Sequence, residues 1–381
     1  MKLLVDEAIW GAPELFGPLG DVRTFDGRRL RPDDLEDADA LIVRSVSPVG
    51  EPLLDGSAVR FVGAASSGID HVDRQYLASR GITLADAAGG NAVTVAEYVA
   101  AALWVMARRC RRPLEELTLG VVGVGRIGSI VADFAAGLDM KVVGCDPPRR
   151  SAGDAGLVDF PALADAADIV TLHVPLTRDG PDATADVVDA AWLGRLRPGA
   201  WLVNTSRGGV VREDHLLAAI ADGRIGGCVL DVWRGEPDVN RELLAAADIA
   251  TPHIAGQSIE ARRRAALMIR DALARHLGIP GHVSGTTGAA QTAGSIGVPP
   301  VRTTIADPGS IGACPLRREA RSRVPPVSRP TAATIAAIRS TLDLEAVSRA
   351  MKAELSPAAG PEAFDALRAR FANRRETISR P

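Results

Sequence analysis

The stretch 118–146 reads TLGVVGVGRIGSIVADFAAGLDMKVVGCD, and its order decides the fold. An apolar run at 119–122 has the length of a buried strand. Gly123, Gly125 and Gly128 follow as G-x-G-x-x-G. An amphipathic segment predicts a helix over 126–138, and a second apolar run, 142–145, predicts a strand that stops at Asp146. Strand, glycine turn, helix, strand and terminal acid make one βαβ unit. In such a unit the first glycine permits the tight turn, the second lets backbone approach a pyrophosphate, and the third lets helix pack on strand. Gly123, Gly125, Arg126, Ile127 and Gly128 are therefore candidate dinucleotide contacts. They open a helix whose free N–H groups and positive dipole end favour phosphate. Asp146, 18 residues beyond Gly128, is placed to accept both hydroxyls of a ribose.

Outward from this unit the alternation continues. Runs at 3–5, 40–43 and 61–65 read as strands, with a short helix over 14–19. Asp70 is positioned to cap a further helix that runs to about 79, stopped by Gly81. A long helix over 91–109 leaves this first domain and supports the second. Strands at 169–174, 200–204, 228–232 and 248–250 follow, with a helix over 214–221. A helix over 259–277 crosses back to the first domain. Strands alternating with helices predict α/β architecture, with parallel sheets covered on both faces. The expected division is 1–95, completed by 257–285, then 96–256, then a divergent C-terminal region, 286–381. Within the last, 281–330 is rich in Gly, Ser, Thr and Pro and reads as loops or a linker. Helical patterns over 333–355 and 361–378 are too small to bury themselves alone, which suggests docking or dimerisation.

Composition narrows the partners. A net charge of −3 gives no basic field, so nucleic acid is not an expected partner. Cys110, Cys145, Cys228 and Cys314 are scattered without a C-x-x-C pair, which argues against zinc or a disulfide framework and suits a reducing cytoplasm. The start, MKLLVDEAIW, has acids at positions 6 and 7 and does not read as a secretion signal. The longest apolar helical run, 99–107, is too short to span a bilayer and reads as a core helix.

In parallel sheets ligands gather beyond the carboxyl ends of the strands. Two early strand-end turns, Arg44-Ser45 and Ser66-Ser67-Gly68, have the guanidinium, hydroxyls and N–H groups to cradle a carboxylate or phosphate. Three later loops carry unusual residues: Arg207 in N-T-S-R-G-G, Asp231 and Glu236 in D-V-W-R-G-E-P, and His253 in T-P-H-I-A-G. Oxidation of an alcohol needs a base for the hydroxyl proton, and neutral His suits that near pH 7. A carboxylate beside the His orients it and favours its protonated form. A cation must hold a substrate carboxylate and polarise the forming carbonyl, for which an Arg fork is suited. Arg207, Glu236 and His253 supply all three. From spacing alone, a packing histidine, an ordinary Glu-Pro turn and a surface arginine remain open.

The sequence resembles the NAD-dependent D-2-hydroxyacid dehydrogenases over about 40–280. The likeness rests on N-A-V-T-V-A-E from Asn91, the glycine run, H-V-P-L-T from His173, N-T-S-R-G-G, L-D-V-W-x-x-E-P and T-P-H-I-A-G, in this order. It implies a Rossmann-type NAD domain and a flavodoxin-like substrate domain, both doubly wound, plus a small dimerisation region. It implies that Arg207 binds and polarises substrate, Glu236 supports the histidine and His253 is the general acid/base. Asp231 would face the nicotinamide end. Pro175, Thr205, Ser206 and Gly256 would join the cofactor contacts. His173 and His71 read as non-catalytic. Within the family the likeness is greatest to a branch that acts, as a homodimer, on a small phosphorylated 2-hydroxy acid. Its features here include Val43-Arg44-Ser45-Val46, Gly68-Ile69-Asp70-His71-Val72-Asp73 and Cys145-Asp146-Pro147-Pro148-Arg149. Arg44, Ser45, Ser66, Ser67, Gly68 and Gln257 are the candidate substrate contacts. Gln257 stands where that branch carries Tyr, and Ser66 where it carries Thr. Two other readings stay open: a family member for a different 2-hydroxy acid, and an NAD(H)-sensing protein that keeps the fold without turnover. No metal site is expected.

Overall fold

The computed structural model describes residues 1–279, 337–338, 340, 342–355 and 360–377. These form two compact units, Met1–Asn91 with Ile259–Ile296, and Ala92–Ser258 with Gly297–Pro381, each over its described residues. The expected divisions at 95/96 and 256/257 thus move to 91/92 and 258/259. The reason is the helix Ala92–Cys110, which packs entirely in the second unit through Val95, Val99, Leu103 and Met106.

The first unit is a five-stranded parallel sheet in the order β2-β1-β3-β4-β5. Its strands are β1 (Lys2–Asp6), β2 (Asp21–Phe25), β3 (Ala40–Val43), β4 (Phe61–Ala64) and β5 (Thr83–Asp86). This is the flavodoxin-like order. Alternate residues face opposite layers. Leu3, Val5, Ile42 and Phe61 meet Ala266, Ile269 and Leu273 of the helix Ile259–His276, while Leu4, Leu41, Val43 and Val62 face the other core. The sequence patterns did not predict β2 and β5, and both lie at sheet edges. The β2 segment, DVRTF, is largely exposed, so it lacks the apolar signal of an inner strand. A second correction concerns the cap at 70. The helix is Arg74–Ser79, and Asp73 caps it by accepting the Tyr76 N–H at 2.9 Å.

The second unit is a six-stranded parallel sheet, β11-β10-β9-β8-β6-β7. Its strands are β6 (Thr118–Val122), β7 (Lys141–Cys145), β8 (Ile169–Leu172), β9 (Ala200–Asn204), β10 (Ile225–Leu230) and β11 (Ile249–Ala250). Strand order reverses beside β6, so the switch point lies there. Leu119, Val121, Ile169, Trp201, Val203 and Val229 pack with the helices Ala92–Cys110 and Arg126–Gly137. The alternate set, Val122, Val170, Leu172, Leu202, Cys228 and Leu230, packs in the opposite layer. Burial of both faces explains the continuous apolar runs. β8 ends two residues sooner than expected and β10 starts three sooner, so Asp231 stands just outside its strand.

Of the described C-terminal helices, Pro361–Phe371 joins the layer of Val122 and Leu172, and Leu344–Glu354 spans both, with Leu344 and Val347 in the core of Leu119 and Val121. Met351, Leu355, Phe364 and Leu367 are buried in the former layer. Ser348 Oγ accepts the Ala250 N–H at 3.0 Å, and Lys352 Nζ donates to Ala247 O at 2.5 Å. The helix Leu344–Glu354 thereby covers the edge strand β11, which would otherwise present unpaired backbone. The apolar faces taken from sequence as a docking or dimerisation surface are thus filled within the chain. The expected linker at 281–330 and Cys314 lie outside the described residues. Among the described residues no helix is long and apolar enough to cross a membrane.

Candidate active site

The glycine turn after β6 separates three physical roles. Gly123 has φ +84°, a left-handed conformation, and a Cβ there would lie 2.6 Å from His173 O. A Cβ on Gly128 would lie 1.9 Å from Gly123 O, so the helix can start against the turn only without a side chain. Gly125 is different. Beyond its chain neighbours, a Cβ there would meet no described atom within 4 Å, so the backbone at Gly125 is open to a close approach. Arg126 and Ile127 form the first turn of the helix Arg126–Gly137, and Arg126 is exposed. Helix N-terminus, left-handed glycine and open approach together fit a dinucleotide pyrophosphate.

Asp146 directly follows β7 and already has protein partners. Its carboxylate accepts the Val124 N–H at 2.9 Å and, as cap of the helix Pro147–Ser151, the Arg149 N–H at 3.2 Å. It therefore braces the glycine turn, with lone pairs left for ribose hydroxyls. Arg149 bonds to Asp154 at 2.6 Å and to Val124 O. Its side chain is 14% exposed, so this guanidinium is tied down rather than free to meet a ribose phosphate.

The loops after β9, β10 and β11 leave the same edge, because all three strands are parallel. Asn204 locks the first loop. Its Oδ1 accepts the Ser206 N–H at 3.0 Å and the Ser206 hydroxyl at 2.9 Å, and its Nδ2 donates to Arg207 O at 3.0 Å. Thr205 and Ser206 are buried, and Arg207 is half-buried, with Nη1 donating to Ser206 O at 2.8 Å. A Cβ on Gly208 would fall 2.0 Å from Trp233 C, so the Arg207 loop lies directly on the Trp233–Arg234 backbone.

His253 Nδ1 and Glu236 Oε1 are 2.7 Å apart, at 28% and 25% side-chain exposure. That contact leaves the imidazole Nε2 for proton transfer. The other carboxylate oxygen, Glu236 Oε2, is buried and has no hydrogen-bond partner among the described residues. His253 has φ +54°, which a non-glycine residue adopts only when its surroundings hold it there. Those surroundings centre on Asp231. Its main-chain oxygen accepts the His253 N–H at 2.7 Å. Its carboxylate accepts Thr251 Oγ1 at 2.6 Å, Ile254 N at 2.8 Å and Ala255 N at 2.9 Å. Burial nonetheless holds the Asp231 pKa above the usual carboxylate range, against the pull of His253 and these donors. Tyr98 OH lies 2.6 Å from Thr251 Oγ1, and Trp233 Nε1 donates to Thr251 O at 3.0 Å. Asp231 thus shapes the histidine loop from beneath. Asn204, Thr251 and Tyr98 were missed from sequence. A polar residue at the end of each apolar strand was the available sign for the first two.

His173 lies on the same edge without joining the pair. Nε2 is 3.0 Å from Thr171 Oγ1, Nδ1 is 3.5 Å from Thr205 Oγ1, and burial pushes its pKa down to about 3. Pro175 is exposed, and its carbonyl accepts the Thr184 hydroxyl at 2.5 Å. Gly256 and Gln257 are half-buried, and Gln257 N donates to Ile254 O at 2.9 Å.

In the first unit, Arg44 and Ser45 follow β3, and Ser66, Ser67 and Gly68 follow β4. Arg44 Nε donates to the fully buried Asp6 Oδ1 at 2.9 Å, and its two terminal nitrogens bond to no described residue. Ser45 is exposed. The Ser66 hydroxyl donates to Gly68 O at 2.8 Å, and Ser67 Oγ bonds Asn91 Oδ1 at 2.7 Å. Among the described residues no cluster of His, Cys, Asp and Glu is arranged to hold a metal.

Residues 84–255 match the family model for the D-isomer specific 2-hydroxyacid dehydrogenase NAD binding domain. The chain is 48% identical over 291 residues to an erythronate-4-phosphate dehydrogenase of Salinibacter ruber, covering 75% of this chain and 74% of that one. It is 44% identical over 287 residues to the enzyme of the same name from Salmonella arizonae, covering 74% and 75%. Among solved structures it is similar to D-lactate dehydrogenase from Aquifex aeolicus, complexed with NAD and lactic acid. That likeness has a TM-score of 0.64 at 25% identity and covers 74% of this chain and 97% of that one.

Proposed function

The chain belongs to the D-isomer specific 2-hydroxyacid dehydrogenase family, and on that premise we propose that it oxidises 4-phospho-D-erythronate at C2 with NAD. The product is (R)-3-hydroxy-2-oxo-4-phosphooxybutanoate, a step of vitamin B6 biosynthesis. The observation that carries the chemistry is the His253–Glu236 contact of 2.7 Å. The substrate follows from the 48% identical relative.

Bound NAD would accept the C2 hydride, and Gly123, Gly125, Arg126, Ile127, Gly128, Asp146, Pro175, Thr205, Ser206, Asp231 and Gly256 would hold it. His253 Nε2 takes the C2 hydroxyl proton as the C2–H bond breaks, so alcohol becomes ketone and imidazole becomes imidazolium. Glu236 stabilises that imidazolium and fixes the ring orientation. Arg207 binds the substrate carboxylate and polarises the forming carbonyl. Arg44, Ser45, Ser66, Ser67, Gly68 and Gln257 contact the substrate, with Arg44 and the serines serving its phosphate. Asp146 selects NAD over NADP, because a carboxylate repels a 2′-phosphate and Arg149 is already tied to Asp154. The division of labour is a substrate domain at 1–91 with 259–279 and an NAD domain at 92–258. A homodimer is the assembly that the resemblance implies, and the scattered cysteines suit a reducing cytoplasm; sedimentation at the monomer mass would remove the dimer.

The test is NADH formation with 4-phosphoerythronate, 3-phosphoglycerate, glycerate and lactate, each with NAD and NADP. We expect kcat/KM to favour 4-phosphoerythronate and NAD by about 100-fold or more, equivalent to ~2.7 kcal/mol. Preference for an unphosphorylated acid would overturn the substrate. Tight NADH binding with no turnover on any acid would favour a sensor.

A further inference from the structure

The C-terminal residues beyond the helix Pro361–Phe371 return to the loop that carries His253. Arg374 Nη2 donates to Ala255 O at 3.2 Å and to Thr94 O at 2.7 Å, and Nη1 meets Glu97 Oε2 at 3.1 Å. Glu97 Oε1 accepts the Thr377 N–H at 2.6 Å. Glu376 Oε1 accepts the Ser258 hydroxyl at 3.1 Å and also bonds Thr94 Oγ1. Thr94 and Ser258 meet each other at 3.1 Å. All of these residues lie in the second unit.

Burial makes this network more than surface decoration. The Arg374 and Glu97 side chains are 4% and 0% exposed. Glu376 and Ser258 are buried too. A buried ion pair is weak as a source of stability, because desolvation offsets its attraction. What it supplies is direction, since a planar guanidinium fork fixes several acceptors at once. Here one acceptor is the main chain of the catalytic loop. The Ala255 residue is held from two sides, its N–H by Asp231 and its carbonyl by Arg374. Two residues upstream, His253 sits in a left-handed conformation that local preference does not favour. Glu376 holds the far end of the same loop at Ser258.

We propose that Arg374 and Glu376 are positioning residues for the reaction: this C-terminal segment holds 253–258 in the conformation that aims His253. The proposal rests on the dehydrogenase reading for its kinetic arm only. Catalysis is sensitive to small displacements, and about 1 Å at a reacting group is enough to lose roughly 10²-fold in rate.

The experiment uses full-length Arg374→Ala, with NAD as the oxidant for turnover and NADH for the binding measurement. We expect kcat on 4-phosphoerythronate to fall about 10²-fold, with KM and the NADH Kd within about threefold of wild type. Added guanidinium should restore about a tenth of the lost rate or more, because the vacated site keeps its three acceptors. Backbone amide exchange at 253–258 should rise about tenfold while 118–122 and 200–204 stay as protected as before. A folded Arg374→Ala with wild-type kcat, or with unchanged exchange at 253–258, overturns the proposal. If Arg374→Ala does not fold, Arg374→Lys and Glu376→Gln decide it. Wild-type kcat and exchange in both would overturn it, and faster exchange at 253–258 with intact NADH binding would support it. The exchange arm needs no substrate. A wild-type enzyme inactive on 4-phosphoerythronate would therefore overturn the substrate reading and leave the loop result standing.

Discussion

The strand ends of the two units hold their polar side chains to different degrees. In the second unit they are tied together before any ligand arrives. Glu236 is on His253, Asp231 is under the histidine loop, and Asn204 is inside the arginine loop. In the first unit, Ser66 bonds within its own turn, Ser67 bonds Asn91, and Arg44 is held at Nε by Asp6, with no described partner at its terminal nitrogens. Under the proposed function, the contrast separates chemistry from recognition. Proton transfer requires a donor and acceptor already aligned, so that edge is rigid. An anionic group can be met by a guanidinium and hydroxyls that exchange internal partners for the ligand, so that edge needs an anchored arginine more than a finished cage.

The largest expected effect breaks the rigid edge. His253→Ala removes the proposed proton acceptor, and kcat should fall by about 10³–10⁴ with NADH binding within about threefold. Arg207→Lys keeps the charge but loses the fork, and kcat/KM should fall by about 10²–10³. Steady-state kinetics with NADH titration checks both. Near-normal rates in either variant would show that the loops beyond β9 and β11 are structural, and the contrast between the units would disappear.

A smaller effect belongs to the first unit. Asp6 is fully buried at the end of β1, and its contact with Nε is what directs Arg44. Asp6→Asn keeps the size and removes the charge, so KM for a phosphorylated acid should rise about tenfold while kcat changes less than about threefold. An equal loss in kcat would place Arg44 with the chemistry rather than with recognition. The same variant assayed on an unphosphorylated acid should show little change in KM, which separates loss of phosphate binding from general weakening.

The two regions were also unequally legible in the sequence. The edge proposed for catalysis is written in short motifs whose spacing survives folding: G-x-G-x-x-G needs its glycines because Gly123 and Gly128 have backbone where a Cβ would be. Arg207, Glu236 and His253 could be assigned to one edge because each follows a buried strand, and parallel strands deliver their loops together. What could not be read was pairing across distance. Asp6 with Arg44 and Arg374 with Ala255 join residues with no shared pattern. The missed strands, β2 and β5, lie at sheet edges, where one neighbour suffices and apolar residues are not required. The C-terminal helices showed apolar faces, but a face does not name its partner, and Met351 and Phe364 turned out to bury in their own chain.

The smallest expected effect tests whether everything on the rigid edge serves the chemistry. His173 lies there, yet burial holds its pKa down to about 3 from an ordinary 6.5. The folded protein therefore refuses a proton that the unfolded chain accepts once pH drops below 6.5. Between these values the unfolded state binds more protons, so stability is full above about 6.5 and declines as pH falls toward 3. His173→Asn removes that proton. The decline of unfolding free energy with acid should flatten by up to ~1.4 kcal/mol per pH unit across that window, measured by urea denaturation at several pH values. Turnover at pH 7 should stay within about threefold of wild type, because a neutral ring bonded to Thr171 is packing, not catalysis. A slope identical to wild type would mean that His173 takes its proton in the folded state. The quiet histidine of this edge would then titrate beside the active one.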